Sequence, residues 1–385
     1  MSLQTPPTSA ENTLSALPAS ALRLPAIAPT ADPVLDVMVI QRIGPLGFPG
    51  HALGRLEALL LQLARMQSSN SLQFDLLAFD SPQVVVFASD HGIGDEGVST
   101  SPPGATRQRV LQILRGEAPI NTVAAMQGFD LTVVDAGVAS HLTEGSGAVV
   151  DPVVPLLLRK IAYGTRNMTL SPAMSVAQAV SALHAGMDVV RHLQGNVMAL
   201  GDVGAGNSAC AALLLSRLCG VPLADACGRS PIEADSLDST QAQTKLDVLF
   251  AAARRHRQAT SPLAALAALG GFEIAMMAGA MLQAASERRV VLVDGFVAGT
   301  AALVARGLSP AVADYLVFAH RAADPGHRLL LIHLQTQPLM DLGLRLGQGV
   351  GALLAWPLLQ TAQALLERGG SGRSGVAKSG SGSLY

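Results

Sequence analysis

The sequence predicts a doubly wound α/β fold: a mostly parallel sheet with helices on both faces, plus a small helical cap built from both chain ends. Three observations predict it. Short β-branched runs alternate with Ala/Leu-rich stretches of helical length, which is the pattern of βαβ units. The runs are apolar throughout instead of alternating, as expected of strands buried on both faces. Several end in a polar residue and a glycine, the turn that lines the ligand crevice at the carboxyl edge of a parallel sheet.

In chain order, residues 1–33 are rich in Ala, Pro, Ser and Thr. They lack the basic start and continuous apolar core of a signal peptide, so a disordered leader is expected. Leu56–Arg65 and Leu353–Leu366 are Leu-rich with no strand between them and their chain end. They are expected to pair in a helical cap made of residues 34–80 and 345–368. Residues 81–344 form the large α/β domain. Its expected strands are Gln83–Ala88, Leu131–Asp135, Asn196–Leu200, Val290–Asp294 and Tyr315–His320. The Gly/Ser-rich residues 369–385 read as a flexible tail.

Composition narrows the function. Of 385 residues, 26 are basic and 28 acidic, and no basic face stands out, which argues against a nucleic-acid partner. Mean hydropathy is high at +0.38. Even so, Gly, His, Arg or Asp interrupts every apolar run before the roughly 18 residues a membrane span needs, and no membrane association is expected. Ala, Leu, Val and Gly supply the apolar surplus, as closely packed helices would require. Cys210, Cys219 and Cys227 are odd in number and lack CxxC spacing. A disulfide framework or zinc site is therefore not expected, and a cytoplasmic location is.

Four polar segments could carry chemistry. The first, Asp90-His91-Gly92-Ile93-Gly94-Asp95-Glu96, follows an apolar strand and reads either as a ligand mouth or as a solvated turn. The second, Gly201-Asp202-Val203-Gly204-Ala205-Gly206-Asn207-Ser208, runs from a strand through a glycine turn into a helix. Backbone N–H groups at such a helix start can hold a phosphate. This turn also fits G-x-G-x-x-A, with Asp225 about twenty residues on, as a dinucleotide site would; however, Asp225 follows Pro222 in a helix-start pattern. The third, His320-Arg321-Ala322-Ala323-Asp324, follows another strand. The fourth, Arg345-Leu346-Gly347-Gln348-Gly349-Val350-Gly351, enters the last helical stretch and reads as close packing or as a binding turn. Lys160 and Arg166 flank one more glycine turn, where they either meet an anion or are solvated.

Taken in order, six blocks resemble the nicotinate-nucleotide–dimethylbenzimidazole phosphoribosyltransferase family. They are FASDHGIGDEGVS, INTVAAMQGFDLTVVDAGV, GTRNMTLSPAMS, GDVGAGNSACAALL, LGGFEIAMMAGA with VVLVDGF, and YLVFAHRAADPGH with DLGLRLGQGVGALLAWPLL. The resemblance spans about residues 84–366 and favours the phosphate reading of the Gly204–Ser208 turn. It implies transfer of phosphoribose from nicotinate mononucleotide to a ring nitrogen of 5,6-dimethylbenzimidazole, without a cofactor or metal, by a homodimer or a pair of paralogues. It implies that Gly204, Gly206, Asn207, Ser208 and Lys245 hold phosphate and ribose. Ser101, with Asp90, His91 and Asp324, would surround the acceptor base. The chain departs from the family at three positions. The family's general-base Glu is Gln348 here, which can accept a hydrogen bond but no proton. A second family Glu is Asp202, and Ala322 stands where Ser is common. Asp202 is accordingly the expected base, with Gln348 orienting the acceptor. A catalytically reduced subunit, or a phenolic or purine acceptor, are the alternatives.

Overall fold

The structure, a computed structural model, describes residues 22–46, 52–68, 76–143, 151–228 and 239–371. Most of the expected leader (residues 1–21) and of the tail (residues 372–385) lies outside the described residues. Residues 22–32 are described and lie against the body: Tyr315 Oη donates to the Ala28 carbonyl at 2.8 Å, and Thr30 N–H to Asp314 Oδ2 at 3.1 Å.

The N-terminal helices are α1 (Pro33–Ile43), capped by Asp32 Oδ1, and α2 (Arg55–Gln67). Strand β1 (Gln83–Ser89) leads to α3 (Ala105–Leu114), α4 (Pro119–Gln127) and β2 (Asp130–Gly137). Then come β3 (Leu156–Leu158), α5 (Val176–His192) and β4 (Val197–Val203). Helix α6 (Asn207–Cys219) follows, with α7 (Leu223–Cys227), α8 (Ser239–Arg255), α9 (Pro262–Leu269) and α10 (Phe272–Ser286) after it. The chain continues through β5 (Val290–Val293), α11 (Phe296–Leu308) and β6 (Leu316–Phe318). Helices α12 (Pro325–His333), α13 (Val350–Leu354) and α14 (Trp356–Ser371) complete it.

All strand pairs are parallel, in the order β3-β2-β1-β4-β5-β6. Every residue of β1 and β5 is buried, which is why these segments read as unbroken apolar runs. Connections after β1 and after β4 cross the sheet in opposite directions. Right-handed crossovers therefore place their helices on opposite faces, the doubly wound fold that the sequence predicts. Small residues let the layers close: a Cβ at Gly279 of α10 would stand 2.0 Å from the Leu183 carbonyl of α5. Helices α1, α2 and α14 pack on one another, and Arg42 Nε donates to the Leu366 carbonyl at 3.0 Å.

Five of these strands are legible in the sequence; β3 is not. That strand is three residues long, follows Pro155 and, among the described residues, pairs only with β2 at the sheet edge. Local pattern carries too little signal at that length.

Candidate active site

Strand order reverses between β1 and β4, and ligands bind beyond the carboxyl ends of strands at such a point. A cleft of about 400 Å³ opens there and extends over β5 and β6. Its walls come from four segments: Ser99–Ser101 with Arg109, Asp202–Ser208, Asp294–Val297, and His320–Asp324 with Leu344–Gln348.

The β4–α6 turn forms one wall of the cleft. Gly206 precedes α6 with φ of 87°, and no side chain caps the helix. The Asn207 and Ala209 N–H groups donate to the Gly204 and Gly206 carbonyls at 3.4 and 3.1 Å, which leaves Ser208 N–H and the helix dipole behind it to meet an anion. Ala205 N–H is held by Thr106 Oγ1 at 3.0 Å, which fixes the turn against α3. Asp202 lies at its start, and Asn207 Nδ2 donates to Oδ1 at 2.7 Å. Desolvation pushes the Asp202 pKa up to about 8, helped by the negative charges of Asp294, Glu273 and Asp324, while the Asn207 bond opposes the rise. A carboxyl poised near neutral pH suits proton transfer.

The opposite wall is the turn before α13. Gly347, Gln348 and Gly349 are all left-handed, with φ of 63°, 62° and 90°. A residue with a side chain in this region costs about 1–2 kcal/mol, so the surroundings must hold Gln348 there. The turn lies on the backbone of β4. A Cβ at Gly201 would stand 2.3 Å from the Gln348 carbonyl carbon, so only glycine fits beneath it. Gln348 Oε1 is buried without a hydrogen-bond partner. An acceptor left in that state costs about 1–3 kcal/mol, which a ligand N–H in the cleft would relieve.

Beneath the β4–α6 turn lies a buried polar chain. His91 Nδ1 is 3.1 Å from Cys210 Sγ, and its Nε2 is 2.8 Å from Glu273 Oε1. Burial works against charge on His91, but Cys210 and Glu273 outweigh it and hold its pKa well above the ordinary histidine value. A Cβ at Gly204 would stand 3.1 Å from His91 Nε2, so the imidazole underlies the turn. At the far side, burial and the neighbouring His320 push the His327 pKa down to about 3. That neutral ring accepts the Ala322 N–H at 2.9 Å.

Known proteins share this architecture. A phosphoribosyltransferase family model matches residues 28–374. The chain belongs to this family. A phosphoribosyltransferase of Cupriavidus taiwanensis, named nicotinate-nucleotide–dimethylbenzimidazole phosphoribosyltransferase, is 45% identical over 352 residues, covering 90% of this chain and 95% of the relative. One of the same name from Variovorax paradoxus is 43% identical, covering 89% and 93%. A crystal structure of the phosphoribosyltransferase of that name from Thermus thermophilus aligns with a TM-score of 0.79 at 34% identity, covering 90% of this chain and all of that one.

Of the residues the sequence singled out, the cleft brings together Asp202, Gly204, Gly206, Asn207, Ser208, Ser101, Asp324 and Gln348. Others lie elsewhere. His91 is sealed beneath the turn, and Asp90 Oδ2 accepts the Ala139 N–H at 2.8 Å, outside the cleft wall. Lys245 is buried on α8 and does not line the cleft. Lys160 pairs with Asp135 at 2.9 Å, and Arg166 Nε donates to the Pro172 carbonyl. Neither cation reaches the site. Asp225 lies within α7 and ends no strand.

Arg109 joins the cleft although the sequence did not mark it, Asp294 stands there as the polar strand end before Gly295, and Glu273 lies beneath it with His91. Arg109 Nη2 lies 3.3 Å from Ser101 Oγ and brings a cation to the cleft rim; its helix gives no pattern that marks it. Glu273 did leave a signal, as a lone carboxylate in the apolar run Phe272–Met281, where burial demands a partner.

Proposed function

We propose that this phosphoribosyltransferase moves the phosphoribosyl group of nicotinate mononucleotide to 5,6-dimethylbenzimidazole or a related lower-ligand base. The products are α-ribazole 5′-phosphate and nicotinate, used in assembling the nucleotide loop of cobalamin. One observation carries the reading. The uncapped α6 turn, the Asp202 carboxyl and the orphaned Gln348 amide oxygen converge on a single cleft.

The 5′-phosphate sits at the Gly204–Ser208 turn, on the N–H groups that the protein leaves unbonded at the start of α6. The azole N–H donates to Gln348 Oε1, which turns the imine nitrogen toward the anomeric carbon, with Ser101 beside the ring. That nitrogen forms the new C–N bond as the bond to the pyridinium nitrogen breaks. Nicotinate departs with the electron pair and an uncharged ring, so no general acid is required. Asp202 and Asp324 face the positive charge that develops on the sugar. Once substituted, the azole N–H is acidic and its proton passes through cleft water to Asp202. The chain acts in the cytoplasm, as a homodimer. Among the described residues no helix is long and apolar enough to cross a membrane.

A second reading rests on Gln348 alone: a catalytically reduced subunit whose paralogue supplies the carboxylate, or an enzyme for a phenolic or purine acceptor. Purified protein mixed with nicotinate mononucleotide and dimethylbenzimidazole decides. Formation of α-ribazole 5′-phosphate is expected. Product only with a phenol or purine supports the altered acceptor, and product only with an added paralogue supports the reduced subunit. No product under any of these conditions overturns the assignment.

A further inference from the structure

Asp294 is the residue after β5, and it is 1% exposed. Both of its oxygens are committed to protein donors. Oδ2 accepts the Gly349 N–H at 3.0 Å, and Oδ1 accepts the Ala352 N–H at 2.9 Å. His320 Nε2 lies 3.1 Å from Oδ1 on the other side. The two amides belong to the start of α13, immediately after Gln348. That helix's own N-cap, Gly349, has no side chain to cap it. The cap therefore arrives from a different strand, more than fifty residues away in sequence.

The fit leaves little freedom. A Cβ at Gly351 would stand 2.2 Å from His320 Nε2 and 2.7 Å from Asp294 Oδ1. Carboxylate, imidazole and turn are thus in direct contact, with Gln348 held left-handed between two glycines. A Gln in that backbone region, followed by two N–H groups with no local acceptor, would relax elsewhere without Asp294.

We infer that Asp294, backed by His320, is the positioning residue that fixes where the Gln348 amide stands in the acceptor half of the cleft. This rests on the reading of Gln348 as the acceptor contact. Asp294 acts on the acceptor KM through the turn and spares the donor, whose phosphate lies on the α6 turn; loss of its charge beside Asp202 is read apart, as a shift of the pH–rate profile.

The test is a double-mutant cycle between Asp294→Asn and Gln348→Ala. Asn keeps the volume but leaves one of the two turn amides facing an NH₂ group. Loss of one such bond predicts a rise of about tenfold in the acceptor KM. The KM for nicotinate mononucleotide should stay within about twofold, and in the Gln348→Ala background Asp294→Asn should add less than about twofold. Equal effects in both backgrounds, or a matching rise in the donor KM, would overturn the inference. A second pair protects against misfolding. His320→Gln retains an N–H at the same reach and should restore the acceptor KM that His320→Leu loses; no difference between them also counts against the inference. If the wild-type protein makes no product, the proposed function itself has failed, which is a separate result.

Discussion

Asp202→Asn puts activity and stability in opposition. Folding carries the Asp202 pKa from the ordinary 3.8 up to about 8. At about 1.4 kcal/mol per pH unit, the ionised carboxylate is disfavoured in the folded protein by about 6 kcal/mol. The folded-state pKa lies above the unfolded one, so the protonated form is the one that folding favours. The contribution is complete below about pH 3.8 and is lost progressively as pH rises to about 8. Asn cannot ionise and escapes this loss while keeping an amide beside Asn207. Water in the cleft screens part of the effect, so a stabilisation of about 1–3 kcal/mol near pH 8 is expected, shrinking toward pH 4. Activity moves the other way: kcat/KM should fall about 10²–10⁴-fold. The wild-type limb that rises through about pH 8 should vanish. Urea melts of both proteins from pH 5 to 9, with pH–rate profiles over the same range, measure both. A stability difference that does not change with pH, or a rate loss below about fivefold, would refute the assignment of a buried, uptitrated base.

Three further substitutions probe the same cleft. Gln348→Glu supplies a proton acceptor next to the azole, and the rate with dimethylbenzimidazole should rise on the order of 10²-fold; an unchanged rate means that Asp202 or solvent already suffices. Glu273→Gln removes the partner of buried His91, which should cost about 3–5 kcal/mol in denaturant melts. It also removes one of the charges that raise the Asp202 pKa, so the acid limb of the rate profile should move to lower pH. Gly201→Ala drives a methyl group into the Gln348 backbone, 2.3 Å from its carbonyl carbon. A loss of about 1–3 kcal/mol is expected, together with a raised acceptor KM measured by initial rates; an unaltered KM would mean that the turn does not rest on β4.

Much of this protein was legible along the chain. The runs at residues 83–88, 131–135, 196–200, 290–294 and 315–320 are apolar because both sheet faces are covered, and burial of that kind is written into composition locally. The glycine turn before α6 was also legible, since Gly204, Gly206, Asn207 and Ser208 lie within five positions and their geometry follows from their own backbone. Gln348 was marked by its six-block context and by two flanking glycines. Tertiary structure alone decided what surrounds these residues. It joined Asp294 to Gly349 and Ala352, Glu273 to His91, and Gly201 to the underside of the Gln348 turn. It also left outside the cleft wall Lys245, which the resemblance had assigned to phosphate and ribose, and Lys160 and Arg166, for which an anion or solvent had stood open. The division has a physical cause. Strand burial and turn conformation depend on neighbours a few residues away, whereas a proton affinity or a fixed amide depends on charges and donors that meet only when strands distant in sequence lie side by side.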